Sequence, residues 1–271
     1  MDDLVLPSPP LRPFVEGYWS RRGVYEPPRQ VRVLADACTK IIFELVPMPW
    51  SCAYVIGTQL TPILVSLTGE VDRIGIRFRP GMAWFFLNTP LDALAGRLTD
   101  LADVPMNDGG QILGRLRDEP SLTGRTAVLD VWLLSLLALR QPWEKERNET
   151  AQLSRAMLSG TSPPDLAASI EWSTRQLQRV CRERFGASAA KLHRFHRFEI
   201  LQARLNGLPV DLADLAAELG FSDQAHMARE FRYFAGTTIS GVLRERASVG
   251  NIQDASGWLP VLRKAEETGA W

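Results

Sequence analysis

Two segments near the C-terminal end carry side chains that can read the edges of DNA bases. Arginine can make two hydrogen bonds to guanine O6 and N7, and glutamine can make two to adenine N6 and N7. Residues three and four positions apart lie on one face of a helix, so each segment predicts a polar helical face. On a single helix, a solvated face would be the simpler interpretation. The candidate residues are Arg175, Gln178 and Arg179 in the first segment, and Gln224, His226 and Arg229 in the second.

The two segments belong to a repeated unit, and the repetition favours DNA reading over a solvated face. One copy reads LAASIEWSTRQLQRVCRERFG (166–186), and the other reads LAAELGFSDQAHMAREFRYFAG (215–236). The first helices align at an offset of 49 and the second helices at 50, so the second turn gains one residue. Each copy predicts a helix-turn-helix, because Gly220 can adopt a left-handed turn conformation and Ser173 and Asp223 can cap the second helices.

The repeated units resemble the two helix-turn-helix units of the AraC/XylS family of bacterial transcription regulators. The segment KLHRFHRFEILQARL (191–205) is similar to the long helix that joins them, and the resemblance covers roughly 155–247. It implies that one chain places two recognition helices in successive major-groove segments of double-stranded DNA. The base-reading positions of the family fall on the six candidate residues and on Ala225, which offers only a methyl group. RNA polymerase is expected as a further partner.

The N-terminal part predicts a β-rich domain. Short β-branched and aromatic runs at 40–45, 53–57, 62–67 and 73–78 are separated by proline and glycine, which is typical of a small barrel or sandwich. Together with the helical C-terminal part, this predicts an α+β fold. The expected division is a β-rich sensor domain at 1–104, a helical linker at 105–150, a double helix-turn-helix domain at 151–247, and a tail of unknown role at 248–271. Seven helices are expected after the linker, at about 150–158, 163–170, 174–184, 189–205, 211–219, 223–234 and 239–246.

A second resemblance concerns the N-terminal part and implies control by a small molecule. The segments LRPFVEGYWSRR (11–22), YVIGTQLTP (54–62) and RIGIRFRPGMAWFFL (73–87) resemble a sensor domain that is found fused to AraC-type DNA-binding domains.

The run VLDVWLLSLLAL (128–139) predicts a helix that is apolar nearly all round, so it must be buried in the chain or against a second copy. We therefore expect a homodimer.

Two kinds of effector site are compatible with the sequence. Arg73, Arg77 and Arg79 alternate along a strand and share one face, which could bind an anionic effector. The spacing of Arg73 and Arg77 also occurs in some cyclic-dinucleotide sites, so a nucleotide is one form of this alternative. Trp19 and Trp84 could instead line an apolar pocket. The simpler interpretations are a salt-bridged arginine face and an aromatic core.

Composition gives few further constraints on function. The net charge is zero and 45% of residues are hydrophobic, as in an ordinary globular protein. Residues 150–247 hold 13 Lys and Arg against 10 Asp and Glu, a modest basic excess where the repeat lies. Three distant cysteines predict reduced thiols. No secretory signal or membrane-spanning run is recognised, so we expect a soluble, cytoplasmic protein without a membrane partner.

An enzyme is the alternative of a different class. His193 and His196 have the spacing of two metal ligands on a helix, but Glu199 alone would complete only a weak site. Cys38 and Cys52 are too few for the zinc site of a DNA-repair methyltransferase with an AraC-type repeat. No glycine-rich phosphate loop or hydrolase motif occurs. We therefore expect neither catalysis nor a cofactor or metal; the alternative is a metal- or nucleotide-binding enzyme or adaptor that carries the same DNA-binding domain.

Overall fold

The computed structural model describes residues 3–48, 52–106, 109–140, 143–158, 160–205 and 211–248. The predicted α+β fold is confirmed, since strands occupy the first part of the chain and helices the second. Almost all of the predicted tail, residues 249–271, lies outside the described residues. Among the described helices, none combines the length and the apolar character that crossing a bilayer requires.

The strands form one antiparallel, six-stranded sheet in the order β1-β2-β5-β3-β4-β6. Strands β1 and β6 lie at opposite ends of this order, and no pairing among the described strands joins them. The sheet is therefore open rather than a closed barrel. The strands are β1 (Asp3–Val5), β2 (Val15–Val33), β3 (Lys40–Glu44), β4 (Ala53–Ile56), β5 (Ile63–Phe78) and β6 (Leu98–Asp100).

The two longest strands differ from the sequence-based expectation. The runs predicted as separate strands at 62–67 and 73–78 are one continuous strand, β5. Its partner β2 is not predicted at all, and Pro27 and Pro28, which normally interrupt a strand, lie within it. The pairing of β2 with β5 absorbs these prolines through a register shift between Tyr25 and Arg29.

Three helices cover the sheet: α1 (Trp84–Leu87), α2 (Gly109–Asp118) and α3 (Leu122–Ala138). Helix α3 contains most of the apolar run, and one side of it packs inside the chain. Trp132 is 2% exposed and meets Phe43 edge to face, with ring centroids 5.9 Å apart. Asp130 accepts a hydrogen bond from the hydroxyl of Tyr18 on β2. The opposite side of α3 remains open to solvent, and Val131 there is 57% exposed.

All seven helices predicted for the C-terminal part are present. The first begins earlier than predicted, so it crosses position 150, where the linker was expected to end. The helices pack around a core of phenylalanines, including Phe185, Phe198, Phe231 and Phe234. Their bounds are α4 (Glu144–Leu158), α5 (Pro163–Ser169), α6 (Thr174–Phe185), α7 (Ala189–Leu205), α8 (Leu212–Glu218), α9 (Gln224–Ala235) and α10 (Ile239–Ser248).

A buried group of charges lies beside this second core. Arg77 donates to Glu16 Oε2 at 2.7 Å and makes two hydrogen bonds to the carboxylate of Asp36. Lys40 Nζ lies 2.6 Å from Asp36 Oδ2. Burial opposes ionisation of Asp36, but the charges of Arg77 and Lys40 hold its pKa below the ordinary value. The group thus combines two basic side chains, Arg77 and Lys40, with two acidic ones, Glu16 and Asp36.

Candidate nucleic-acid interface

The first helix-turn-helix unit consists of α5 and α6. Ser173 caps α6 by accepting the backbone N–H of Gln176 at 3.2 Å, as predicted. Leu177 and Cys181 are buried, so α6 packs on the core through the face that the sequence indicates. Gly186 ends the helix with a left-handed φ of 72°.

The second unit, α8 and α9, repeats this arrangement. Asp223 caps α9 by accepting the backbone N–H of His226 at 2.6 Å. Met227 and Phe231 are buried on the core side. Gly236 ends the helix with a φ of 70°, almost the value of Gly186. The two recognition helices, α6 and α9, therefore begin and end in the same way.

The turns of the two units are also equivalent. Trp172 and Phe221 each donate a backbone hydrogen bond of 2.9 Å, to Ala167 and Ala216 respectively. The residue before each is left-handed: Gly220 has a φ of 70°, and Glu171 has a φ of 54°. Trp172 and Phe221 are 49 positions apart in the sequence, whereas the capping residues Ser173 and Asp223 are 50 positions apart. The extra residue of the second unit is therefore Ser222.

The candidate residues of α6 lie on its outer face. Arg175 and Arg179 are exposed and Gln178 is half-buried. Arg179 Nη1 lies 2.9 Å from Glu183 Oε2, one helical turn further along. This face forms a wall of a surface groove of about 630 Å³, and Asp92 from the N-terminal part lines the same groove.

The candidate residues of α9 also face outwards, and one of them is held in a fixed orientation. Gln224 and Arg229 are exposed, whereas His226 is half-buried. His226 Nδ1 lies 3.4 Å from the backbone nitrogen of Ser222 and 3.1 Å from its Oγ. Because a backbone N–H can only donate, Nδ1 accepts, and neutral His226 then carries its proton on Nε2 as a donor. The sequence did not indicate this role of Ser222.

The three arginines expected to bind an anionic effector already have protein partners. Arg73 lies 3.2 Å from Glu44 Oε1, and Arg77 belongs to the buried charge group. Arg79 donates from Nε to the carbonyl of Arg12 at 2.8 Å. The arrangement agrees with the simpler interpretation of a salt-bridged face, and it adds no specific support for a cyclic dinucleotide.

The two tryptophans expected to line a pocket have different surroundings. Trp19 on β2 packs over Gly75 so closely that a Cβ there would lie 2.3 Å from the indole ring. Trp84 lies beneath two guanidinium groups, those of Arg140 at 4.1 Å and Arg184 at 5.0 Å. Trp84 therefore contributes to the contact between α1 and the first recognition helix.

Of the residues considered for metal binding or thiol chemistry, His196, Cys38 and Cys181 are buried, whereas His193 and Cys52 are half-buried. His196 is buried, with Nδ1 3.6 Å from Glu199 Oε2. In the part of the chain that the structure describes, no group of three or more His, Cys, Asp or Glu could hold a metal ion. Cys38 and Cys181 are free and buried, and burial raises the pKa of the Cys181 thiol to about 12. Such thiols are unreactive at neutral pH.

Comparison with protein families identifies the repeated units. Residues 166–245 match a family model described as a helix-turn-helix domain. Residues 4–100 match another model, described as a domain of unknown function. The C-terminal part is therefore a helix-turn-helix domain. This match agrees with the helix-turn-helix units that the repeated sequence predicts.

Comparison with solved structures gives remote matches over most of the chain. ToxT from Vibrio cholerae strain SCE256, bound to unsaturated fatty acid, is 13% identical with a TM-score of 0.41, covering 86% of this chain and 96% of that one. ToxT from Vibrio cholerae O395 is 12% identical with a TM-score of 0.39, covering 86% and 98%. At these TM-scores the similarity supports no conclusion about a ligand. The sequence matches none of the curated proteins with which it was compared.

The unequal turns lead to a prediction about stability. Glu171 is exposed and left-handed, a conformation that costs a non-glycine residue about 1–2 kcal/mol. Glu171→Gly should raise the free energy of unfolding by about 0.5–1 kcal/mol, after the greater entropy of glycine in the unfolded chain is subtracted. Gly220→Ala should lower it by a similar amount, because a Cβ there meets no atom within 4 Å and only the backbone is strained. Urea denaturation measures both changes; a destabilised Glu171→Gly variant would contradict the prediction.

Proposed function

We propose that the chain is a sequence-specific, DNA-binding transcription regulator of the AraC type, controlled through its N-terminal domain. The observation that carries the proposal is the pair of recognition helices, each capped in the same way and each presenting exposed arginines from one chain. Double-stranded DNA is the proposed ligand and RNA polymerase the proposed protein partner. The cytoplasm is the proposed location, because bacterial DNA lies there.

The base contacts are assigned to the outer faces of α6 and α9. Arginine and glutamine provide donor and acceptor patterns that match guanine and adenine in the major groove. His226 provides one donor at Nε2 when it is neutral. Glu183 competes with DNA for Nη1 of Arg179, so this ion pair opens if that nitrogen donates to a base. The proposed contacts are Arg175, Gln178, Arg179, Gln224, His226 and Arg229.

A mutational experiment tests this assignment. Arg179→Ala and Arg229→Ala should each cost about 1–3 kcal/mol of binding to a specific duplex, because each removes a bidentate base contact. Mobility shifts on a duplex selected from a random library, and on a scrambled duplex, measure specific and non-specific binding. Arg115→Ala is the matched control, since Arg115 is an exposed arginine on α2, outside the recognition helices. Equal losses on both duplexes would reassign these arginines to phosphate contacts.

Residues 1–104 are the proposed input domain. An effector can regulate DNA binding only if it has different affinities for two arrangements of the chain. An anionic effector at the arginine face would have to displace Glu44, Glu16 or Asp36. Binding would then be coupled to rearrangement of the buried charges. The alternative is an apolar ligand at Trp19 or Trp84.

The two kinds of effector predict different thermal shifts. An anionic ligand that binds Arg73 should raise the melting temperature of the full chain, since it binds the folded state preferentially. Arg73→Ala should abolish this rise, whereas Arg22→Ala should retain it because Arg22 is largely exposed on the neighbouring strand. Stabilisation by apolar ligands alone would place the site at the aromatic residues. No stabilisation by either class would indicate a protein-interaction or dimerisation domain instead.

A homodimer through α3 is also proposed. The exposed side of this helix consists of uncharged residues, among them Ala127, Val131 and Ser135. An uncharged surface can pack against its own copy across a two-fold axis without repulsion between like charges.

Sedimentation at tens of micromolar, a range where weak association is measurable, tests the dimer. The wild-type chain should sediment as a dimer and Val131→Asp as a monomer, because a charge would be buried without a partner. Leu64→Asp is the matched control: Leu64 is 60% exposed, close to the 57% of Val131, but it lies on β5. If the wild-type chain is a monomer, burial of the inner side of α3 within the chain explains why this helix is apolar, and the dimer proposal is wrong.

A further inference from the structure

Two segments of the N-terminal part contact the last turns of both recognition helices. Thr58 Oγ1 donates to the carbonyl of Phe185, in α6, at 2.7 Å. The backbone N–H of Ala35 donates to the carbonyl of Phe234, in α9, at 3.4 Å. Both recognition helices are therefore bonded to the N-terminal part at their C-terminal ends. We call the two segments, residues 34–38 and 57–62, the clip.

The glycines that end α6 and α9 allow the clip to come close. A Cβ on Gly186 would lie 2.9 Å from Thr58 Oγ1. A Cβ on Gly236 would lie 2.6 Å from the ring of Pro62. Atoms do not approach to such distances without displacement, so a larger residue at either position would push the helix and the clip apart. The contact is thus close at both helices.

The clip is a single unit rather than two independent loops. Asp36 and Gln59 exchange backbone hydrogen bonds of 2.6 and 2.9 Å, which join its two segments. The Asp36 carboxylate is fixed by Arg77 and Lys40, and it accepts the N–H of Cys38 at 2.9 Å. Because this anchor is buried and charged, the clip has little freedom to move within its own domain.

Helix α7, which joins the two units, also packs against the second recognition helix. Phe198 on α7 packs against Phe231 and Phe234 of α9, with ring centroids 5.5 and 5.2 Å apart. The clip therefore adds a second attachment to the one through α7, and two attachments restrict the relative movement of two helices more than one does.

We propose that the clip sets the spacing between the two DNA half-sites that the chain accepts, with Thr58 and Asp36 as positioning residues. The proposal rests on the proposed DNA-binding function. One additional base pair between half-sites displaces the second by about 3.4 Å and rotates it by roughly 35°. Recognition helices joined through both the clip and α7 resist that movement, and helices connected through α7 alone can follow part of it.

The test measures binding of the full-length chain to duplexes with different half-site spacing. A specific duplex is first selected from a random library, and then one or two base pairs are inserted or deleted between its half-sites. Wild type should prefer one spacing by about tenfold or more, the effect of a mismatch of 1–3 kcal/mol. Thr58→Val keeps a β-branched side chain but removes the hydroxyl donor, and it should reduce this preference to about threefold or less.

Two further variants separate positioning from stability. Thr58→Ser keeps the hydroxyl and should keep the spacing preference, and Thr68→Val is the matched control at an exposed threonine of β5. Pro62→Ala removes the ring beside Gly236 and should also broaden the preference. Pro62→Ala replaces Thr58→Val in the test if circular dichroism shows that Thr58→Val does not fold.

The outcomes distinguish this proposal from the proposed function. Absence of specific DNA binding by wild type would overturn the proposed function itself. Specific binding with no spacing preference in wild type, or with an unchanged preference in both Thr58→Val and Pro62→Ala, would overturn the clip proposal alone. A loss of affinity that is equal at all spacings would also overturn it, because such a loss reflects stability rather than position.

Discussion

The ion pair between Arg77 and Asp36 fixes the clip, which connects the sheet to the helical domain. Arg77 lies on a central strand, and Asp36 pairs through its backbone with Gln59. Burying an unpaired charge costs on the order of several kcal/mol, so each charge here depends on its partners. Because the neighbouring residues Ala35 and Thr58 reach α9 and α6, the position of the DNA-binding helices depends on charges that lie outside their own domain.

The helical domain could be predicted from sequence because its signals are local. Ser173 and Asp223 each cap a helix by a hydrogen bond to a residue three positions later, which periodicity and residue type reveal directly. Gly220 and Gly236 mark turns in the same way. The prediction missed the left-handed Glu171, since no residue preference indicates a strained conformation at a glutamate. It also missed the bonds between Ser222 and His226, which require the folded turn.

The sheet was less predictable because its partners are distant in sequence. Arg77 pairs with residues 41 and 61 positions away, so its alternation with Arg73 gives no indication that its charge is already compensated. Strand β2 passes through two prolines, and only its pairing with β5 defines it as a strand. The apolar character of α3 was read correctly, but the sequence does not distinguish burial inside the chain from burial against a second copy.

The single residue that separates the two units has a consequence for the reading of DNA. Ser222 has no counterpart in the first turn, and the outer faces of α6 and α9 carry different side chains. The two helix-turn-helix units are therefore not equivalent, and the domain that they form has a direction. Under the proposed function, a DNA site and the same site in the opposite orientation are different ligands for this domain. Each bound chain then has a defined orientation along the duplex. In a dimer with two-fold symmetry, the two chains would be equivalent to each other, but the two units within each chain would still differ.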